Sequence, residues 1–434
     1  MSQIDITLQE WQYASPDSDP RLAGLSFDDD ASARELALAL TRSRRLFAVE
    51  LARGIGIEAS SFVGRIQLGP LTVTIQPKIS GSPLINLLRY AYGLRDLALL
   101  DDVVHGVALL SFQDLLILQL RAEVQELVSR GLHRKYIPQQ ASLVNPRGRV
   151  DFERYVRQAG TRAAALPCNY HSRLPDSLLN RAVLAGVRLA ARMTQDLELR
   201  TRLRRLSQQL ETDVSTVVLN SEVLAAVDRE TDRTMWAYRP AVELIRLLVE
   251  GQGLSLQSQD SVTLPGFLFD MNRFFQALVL RFLRQHLPGC TVYDEYRLRD
   301  MMRYEPLHNP RRRQSPTPRP DFVIMQNGKV RAILDAKYRD LWENELPRDM
   351  LYQLAIYALS QPAGAEAAIL YPTVAANARE ARIEIRDPVD GWGRSQVVLR
   401  PVHLLELEKL VAAPPNWRTD RGGQSYASYM AFGR

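Results

Sequence analysis

The chain has 434 residues, 46% of them apolar, and 55 Lys and Arg against 49 Asp and Glu for a net charge of +6. That is ample material for packed cores and, at roughly 150 residues per domain, suggests about three domains. No run of 18 apolar residues exists, which argues against a membrane span, and the mild basic balance permits a nucleic-acid partner without requiring one.

The start, Met1-Ser2-Gln3-Ile4-Asp5, lacks the basic and apolar regions of a secretory signal. Cys168 and Cys290 are too few for a disulfide framework and have no metal-site spacing. A reducing cytoplasm is the expected location. There is no phosphate-binding Gly-x4-Gly-Lys-Ser/Thr loop, so any nucleotide-driven step would belong to another chain.

In chain order, residues 1–45 predict a short strand and a helix over Ala31–Thr41. Strands are expected at Leu46–Glu50 and Gly56–Glu58, then a hairpin of Ser61–Gln67 and Leu71–Gln76 about Gly69-Pro70. Helices follow over Asn86–Tyr92 and Ser111–Arg130, the second stopped by Gly131. Tyr136–Phe152 is polar with β-like patches, and its Asn145-Pro146-Arg147-Gly148-Arg149 turn carries two cations. Helix predominates from Ser177 to Leu210 and again over Arg239–Leu248. The Gly-, Ser- and Gln-rich run Gly251–Gln259 marks a boundary. These signals divide the chain into a β-rich N-terminal domain (1–160), a helical middle region (161–260), a C-terminal α/β domain (261–411) and an irregular tail (412–434, from Pro414). The fold class is α/β, α+β overall, with a mixed sheet flanked by helices in the C-terminal domain.

That domain carries the chemistry. Pro320-Asp321-Phe322-Val323-Ile324-Met325 and Ala332-Ile333-Leu334-Asp335-Ala336-Lys337 flank Asn327-Gly328, a strong hairpin signal. Residues two apart on a strand share a face, so Asp335 and Lys337 point the same way. Two carboxylates converging on a hard cation beside an ammonium are the parts needed to cut a phosphodiester with Mg²⁺, or Mn²⁺ in its place. Asp321 and Asp335 would hold the metal, the carbonyl of Ala336 would add an oxygen, and Lys337 would orient water or neutralise charge. Each residue alone would be an ordinary charged strand end; the combination favours a site. A strict two-residue turn would put Asp321 and Asp335 on opposite faces, so the chemistry demands an odd register. A three-residue loop, Gln326-Asn327-Gly328, pairing Met325 with Lys329, supplies it; a bulge elsewhere would serve equally well.

A helix after Asp349, expected as its N-cap, places Gln353 and Tyr357 on one face. Both can hydrogen-bond a phosphate, a metal-bound water or the lysine. Before the hairpin, His308–Arg319 is rich in Pro and Arg, and Arg311, Arg312, Arg313 and Arg319 form a basic loop able to grip DNA phosphates. A predicted helix from Met271 to Leu287 puts Gln276 beside Val279, Leu280 and Leu283, where a polar group must find a partner.

Pro-Asp, Asp-x-Lys and Gln-x-x-x-Tyr together resemble the PD-(D/E)xK nuclease superfamily in its RecB-like branch. Phe269-Asp270-Met271-Asn272-Arg273, Leu370-Tyr371-Pro372 and Asp335-Ala336-Lys337-Tyr338 further resemble the McrC family of modified-cytosine restriction systems. So do Ile75-Gln76-Pro77-Lys78-Ile79, Gly131–Tyr136, Arg147-Gly148-Arg149 and Cys168-Asn169-Tyr170 with Asn180-Arg181. The resemblance implies a restriction-endonuclease-like fold, Mg²⁺-dependent DNA cleavage, and an AAA+ GTPase or ATPase partner similar to McrB, engaged and stimulated through the N-terminal β-rich region. Such nucleases commonly carry a Glu on the helix before the hairpin. Here Gln276 takes that place as a metal ligand without charge, which leaves open an adaptor that stimulates a motor without cutting.

Overall fold

The computed structural model describes residues 4–27, 30–94, 111–157, 165–230, 233–252, 266–360, 366–412 and 421–434. Most of the Gly251–Gln259 boundary, and the stretch 413–420 that opens the tail, lie outside the described residues. The fold is mixed α and β, as expected. Its packing does not follow the composition boundaries at 160 and 260. Residues 1–96 and 268–434 make one compact unit, and 97–267 make another. A Gly- and Ser-rich run is visible in composition, whereas two distant stretches that complete one core leave no such mark.

Strand β1 (Ile4–Gln9) runs parallel to β6 (Leu71–Gln76), and β2 (Tyr13–Ala14) joins β3 (Leu46–Leu51) and β4 (Gly54–Ala59) in an antiparallel trio. β5 (Phe62–Leu68) and β6 form the expected hairpin, with Gly69 at φ 56°, the positive φ that opens a II′ turn. The Ala31–Arg42 helix is capped by Asp30, whose side chain accepts from the Ala33 N–H.

In the second unit, Ser111 caps the Phe112–Arg130 helix and Gly131 ends it at φ 88°. β7 (Lys135–Leu143), β8 (Arg149–Val150) and β9 (Leu166–Leu174) form a sheet in the order β7-β9-β8. The helical stretch expected from Ser177 is two helices, Leu178–Met193 and Leu197–Glu211, the second restarted by Asp196 as N-cap. Gly186 lets the first seat against the Arg239–Gly251 helix; a Cβ there would lie 2.4 Å from Ile245. Asn180 is fully buried and donates to the His133 carbonyl at 2.8 Å, while Arg181 forks onto Asp176 at 2.7 Å. Those two motif residues hold structure.

The first unit resumes at Leu268, within β10 (Gly266–Asp270), which extends a sheet in the order β1-β6-β5-β10. Asp270 then caps the Met271–His286 helix through the Asn272 and Arg273 N–H groups. A six-stranded mixed sheet follows, in the order β11-β12-β13-β14-β16-β15: β11 (Thr291–Asp294), β12 (Phe322–Gln326), β13 (Lys329–Ala336), β14 (Glu366–Thr373), β15 (Ala381–Arg386) and β16 (Gly393–His403). Val323, Ile333, Ala367, Ile369 and Val397 line one core with Leu354, Tyr357 and Ala358 of the Arg348–Ser360 helix. Asp349 lies inside the first turn of that helix and is not its N-cap; a carboxylate there still complements the helix dipole.

The tail is not irregular. Arg421–Phe432 is a helix that buries Tyr426, Ala427, Met430 and Ala431, an i, i+1, i+4, i+5 stripe. Fully buried Arg400 fastens it, donating to the Met430 carbonyl at 3.1 Å while pairing with Glu380 at 2.6 Å. Gly422, Gly423, Ser425 and Ser428 hid this helix, because their weak propensity is overridden by packing.

Because β1, β5 and β6 complete a sheet with β10, deletion of residues 1–96 is expected to unfold residues 268–434, the rest of the first unit. A cooperative melt of the truncated chain near the full-length temperature would contradict this.

Candidate metal and catalytic centre

Asn327 and Gly328 sit at φ 51° and 74°, the paired positive values of a two-residue I′ turn, and Gln326 faces Lys329. The expected three-residue loop is therefore absent. The odd offset comes from a bulge instead: Met325 faces Val330, but Ile324 faces Ala332, leaving Arg331 as the extra residue. Beyond it, Val323 faces Ile333 and Phe322 faces Leu334, so Asp321 comes opposite Asp335. The exposed Arg331 side chain marks the bulge with nothing apolar, so no sequence pattern announced it.

The bulge brings the charged groups together. Lys337 Nζ lies 2.7 Å from Asp335 Oδ2 and 3.9 Å from Asp321 Oδ2. The Ala336 N–H donates to Asp321 Oδ2 at 2.8 Å. Gln276 also hydrogen-bonds the Asp321 carboxylate, so the polar group expected to need a partner has one. Burial and then the Asp335 charge push the Asp321 carboxyl up to about 6, against the pull of Lys337, Ala336 and Gln276. Burial pulls the Lys337 ammonium down, but Asp335 and Asp321 outweigh it and hold its pKa above the ordinary lysine value.

Gln353 reaches Tyr357 and not a carboxylate: its Nε2 donates to the phenol at 3.3 Å. Burial raises the Tyr357 phenol, which also feels Asp335, Asp321 and Lys337. Arg311, Arg312, Arg313 and Arg319 are all exposed and form no ion pair among the described residues. Their loop closes directly on the site, since Glu295 N–H donates to the Asp321 carbonyl and Leu298 N–H to that of Pro318, both at 3.0 Å.

The donor set fits a hard divalent cation. Asp335 Oδ2 is buried against the Lys337 ammonium and has no other hydrogen-bond donor among the described residues, and the Asp321 carboxylate converges on the same ammonium. Among the described residues no three His, Cys, Asp or Glu side chains cluster for a metal. This centre offers two carboxylates, with the Gln276 amide in the third place.

A set of contacts that no local sequence pattern marks braces the segment after β13. Tyr338 N–H donates to Asn272 Oδ1 at 3.3 Å, and Asn272 also donates to Ser61. The Tyr338 phenol donates to buried Glu10 at 3.1 Å, and Trp11 Nε1 donates to the Tyr338 carbonyl at 3.2 Å. Trp11 holds φ 63°, a costly backbone for a bulky residue, to make that contact. Lys78 of the Gln-Pro-Lys motif lies 3.8 Å from Asp340. The segment that follows β13 is thus gripped by Asn272 and by Glu10, Trp11 and Lys78, the last three more than two hundred positions away. Only the motif string around Lys78 and Asn272 hinted at it.

Burial also pushes the Glu10 carboxyl up to about 7. Glu10 and Asp321 then hold protons in the folded protein that the unfolded chain releases near 4.5 and 3.8. Stability from these groups is full below those values and is lost as the pH rises to about 7. In EDTA, Glu10→Gln and Asp321→Asn should each flatten the fall in melting temperature between pH 5 and 7. Profiles that overlay wild type would contradict the assignment.

No helix among the described residues is long and apolar enough to cross a membrane. No curated protein matches the chain. A solved structure does: a chain of the refined half-complex from a tetradecameric assembly of Thermococcus gammatolerans McrB AAA+ hexamers with bound McrC. It is 21% identical with a TM-score of 0.59, over 98% of this chain and 100% of that one. A chain of the cryo-EM structure of the Thermococcus gammatolerans McrBC complex matches at 22% identity and a TM-score of 0.45, over 65% of this chain and 88% of that one. At 21% identity the first of these likenesses speaks for the fold alone. The family is carried by sequence: the model described as McrBC 5-methylcytosine restriction system component matches residues 57–372, a span that holds Lys78, Asn272 and the whole Asp321–Asp335–Lys337 centre. By that match the chain belongs to the McrBC 5-methylcytosine restriction system component family.

Proposed function

We propose that this McrBC-family chain is the Mg²⁺-dependent DNA endonuclease subunit of its restriction system. The observation that carries the reading is the bulged register that sets Asp321 opposite Asp335 with the Lys337 ammonium against both. Asp321 and Asp335 would hold Mg²⁺ or Mn²⁺, with Gln276 and the Ala336 carbonyl as neutral oxygen donors. The bound metal supplies a polarised phosphoryl oxygen and a more acidic water. Lys337 neutralises charge that develops on the phosphate, and Asp335 keeps its ammonium aimed. Ala336 N–H and Gln276 hold Asp321 in place, and Tyr357, steadied by Gln353, offers its phenol to the same polar cluster. The Arg311–Arg319 loop would grip the DNA backbone beside the cut.

The solved neighbour is described as McrC bound to McrB AAA+ hexamers. We infer a similar AAA+ NTPase partner here, stimulated through the N-terminal region. The test is nicking of a supercoiled plasmid by the chain with its co-purified motor. Cleavage should need Mg²⁺ or Mn²⁺ and stop in EDTA. Stimulated nucleotide hydrolysis with no cleavage under any metal would favour the adaptor.

A further inference from the structure

The edge of the six-stranded sheet carries a tyrosine on the side that holds the metal centre. Tyr293 of β11 pairs with Val323 of β12, and Val323 pairs with Ile333 of β13. Directly paired residues point to one side and alternate residues share it, so Tyr293 lies on the same face as Ile333 and Asp335. Two strand spacings and two residues of rise separate its backbone from that of Asp335 by about 12 Å. Its neighbour Val292 is buried and takes the opposite face.

The chain then turns sharply. Glu295 holds φ 45°, a left-handed value that costs a non-glycine residue, and its N–H donates to the Asp321 carbonyl at 3.0 Å. The turn brings Tyr296 onto Tyr293 with ring centroids 5.4 Å apart. Both residues stay open to solvent, Tyr293 at 40% and Tyr296 at 38%. Core packing does not account for rings so exposed; the apolar side chains that follow, Leu298 and Met301, are the ones that pack inward. Residues 293–319 hold seven Arg against Asp294, Glu295, Asp300 and Glu305. Asp294 is taken by Arg284 at 2.6 Å, and Glu305 lies 2.9 Å from His308. Arg297, Arg299 and Arg303 are exposed and form no ion pair among the described residues.

An exposed ring pair among unpaired guanidinium groups suits a ligand that is anionic along its backbone and flat in its side groups. We propose that Tyr293 and Tyr296 form a base-stacking subsite of the metal centre: the strand to be cut is seated with a base lifted out of its own stack onto these rings, while Arg297, Arg299 and Arg303 meet neighbouring phosphates. The inference rests on the nuclease reading and names the form of DNA that the centre takes, a strand locally unstacked beside the cut.

The test uses the full chain in EDTA, so that binding is read without cleavage. Fluorescence anisotropy compares a labelled oligothymidine with an abasic strand of the same length across a salt series. Wild type should prefer the strand with bases at least about fivefold. Tyr293→Leu with Tyr296→Leu should lose that preference with an unchanged circular dichroism spectrum. Its salt slope should also stay unchanged, since no charge is removed. Tyr293→Phe with Tyr296→Phe keeps both rings and should retain the preference. Equal binding of the two strands by wild type, a preference that survives in the leucine variant, or an equal loss in the phenylalanine variant would overturn the proposal. Mg²⁺-dependent cleavage without any base preference would sink this inference alone. A base preference with no cleavage under any metal would leave the subsite standing and sink the nuclease reading.

Discussion

Asp335→Asn is expected to reduce DNA cleavage at least about a hundredfold, equivalent to ~2.7 kcal/mol of lost transition-state stabilisation. The change keeps the volume of a side chain that is 2% exposed and removes one charge. Repulsion on Asp321 falls with it, while Lys337 keeps Asp321 at 3.9 Å as a counter-charge. Folding and motor binding should therefore survive, and the melting temperature in EDTA should stay near wild type. Lys337→Ala should lose cleavage to a similar extent but keep metal binding, since it removes a cation and no ligand. Wild-type cleavage by Asp335→Asn would refute the site, and loss of metal affinity in Lys337→Ala would make the lysine a structural counter-ion.

Gln276→Glu is expected to move stability in opposite directions with and without metal. Gln276 is half-buried and bonds the Asp321 carboxylate, which burial and Asp335 already push up to about 6. A third carboxylate there adds repulsion, so the metal-free melting temperature should fall. With Mn²⁺ present the same carboxylate becomes a ligand, and affinity should rise about tenfold or more, stabilising the folded state by mass action. Calorimetry and a melt with and without Mn²⁺ decide the matter. Unchanged metal affinity with a lower melting temperature in both conditions would reduce Gln276 to a packing residue of the helix–sheet interface.

The parts of the site nearest in sequence were the most legible. Asn327-Gly328 announced its turn because both residues accept positive φ, and Asp335 and Lys337 share a face by strand alternation alone. The need for an odd register followed from the chemistry, yet its position at Arg331 did not, because a bulge in a solvated edge of the hairpin leaves no apolar signature. Gln276 was visible as a polar residue in an apolar sector; that it bonds Asp321 required the fold. Glu10 and Trp11 were invisible, since their partner Tyr338 is more than three hundred residues away and neither belongs to a local pattern. The tail helix was missed for the opposite reason: local glycines and serines argued against an element that tertiary packing imposes.

The most direct measurement of the central claim is a calorimetric Mn²⁺ titration of the full chain, with Asp321→Asn and Asp335→Asn beside it. The Asp321–Asp335 centre predicts saturable binding in wild type that weakens as the pH falls below about 6, where Asp321 takes up its proton, and that is lost in both variants. Binding that persists unchanged in either variant, or none in wild type at neutral pH, would contradict it.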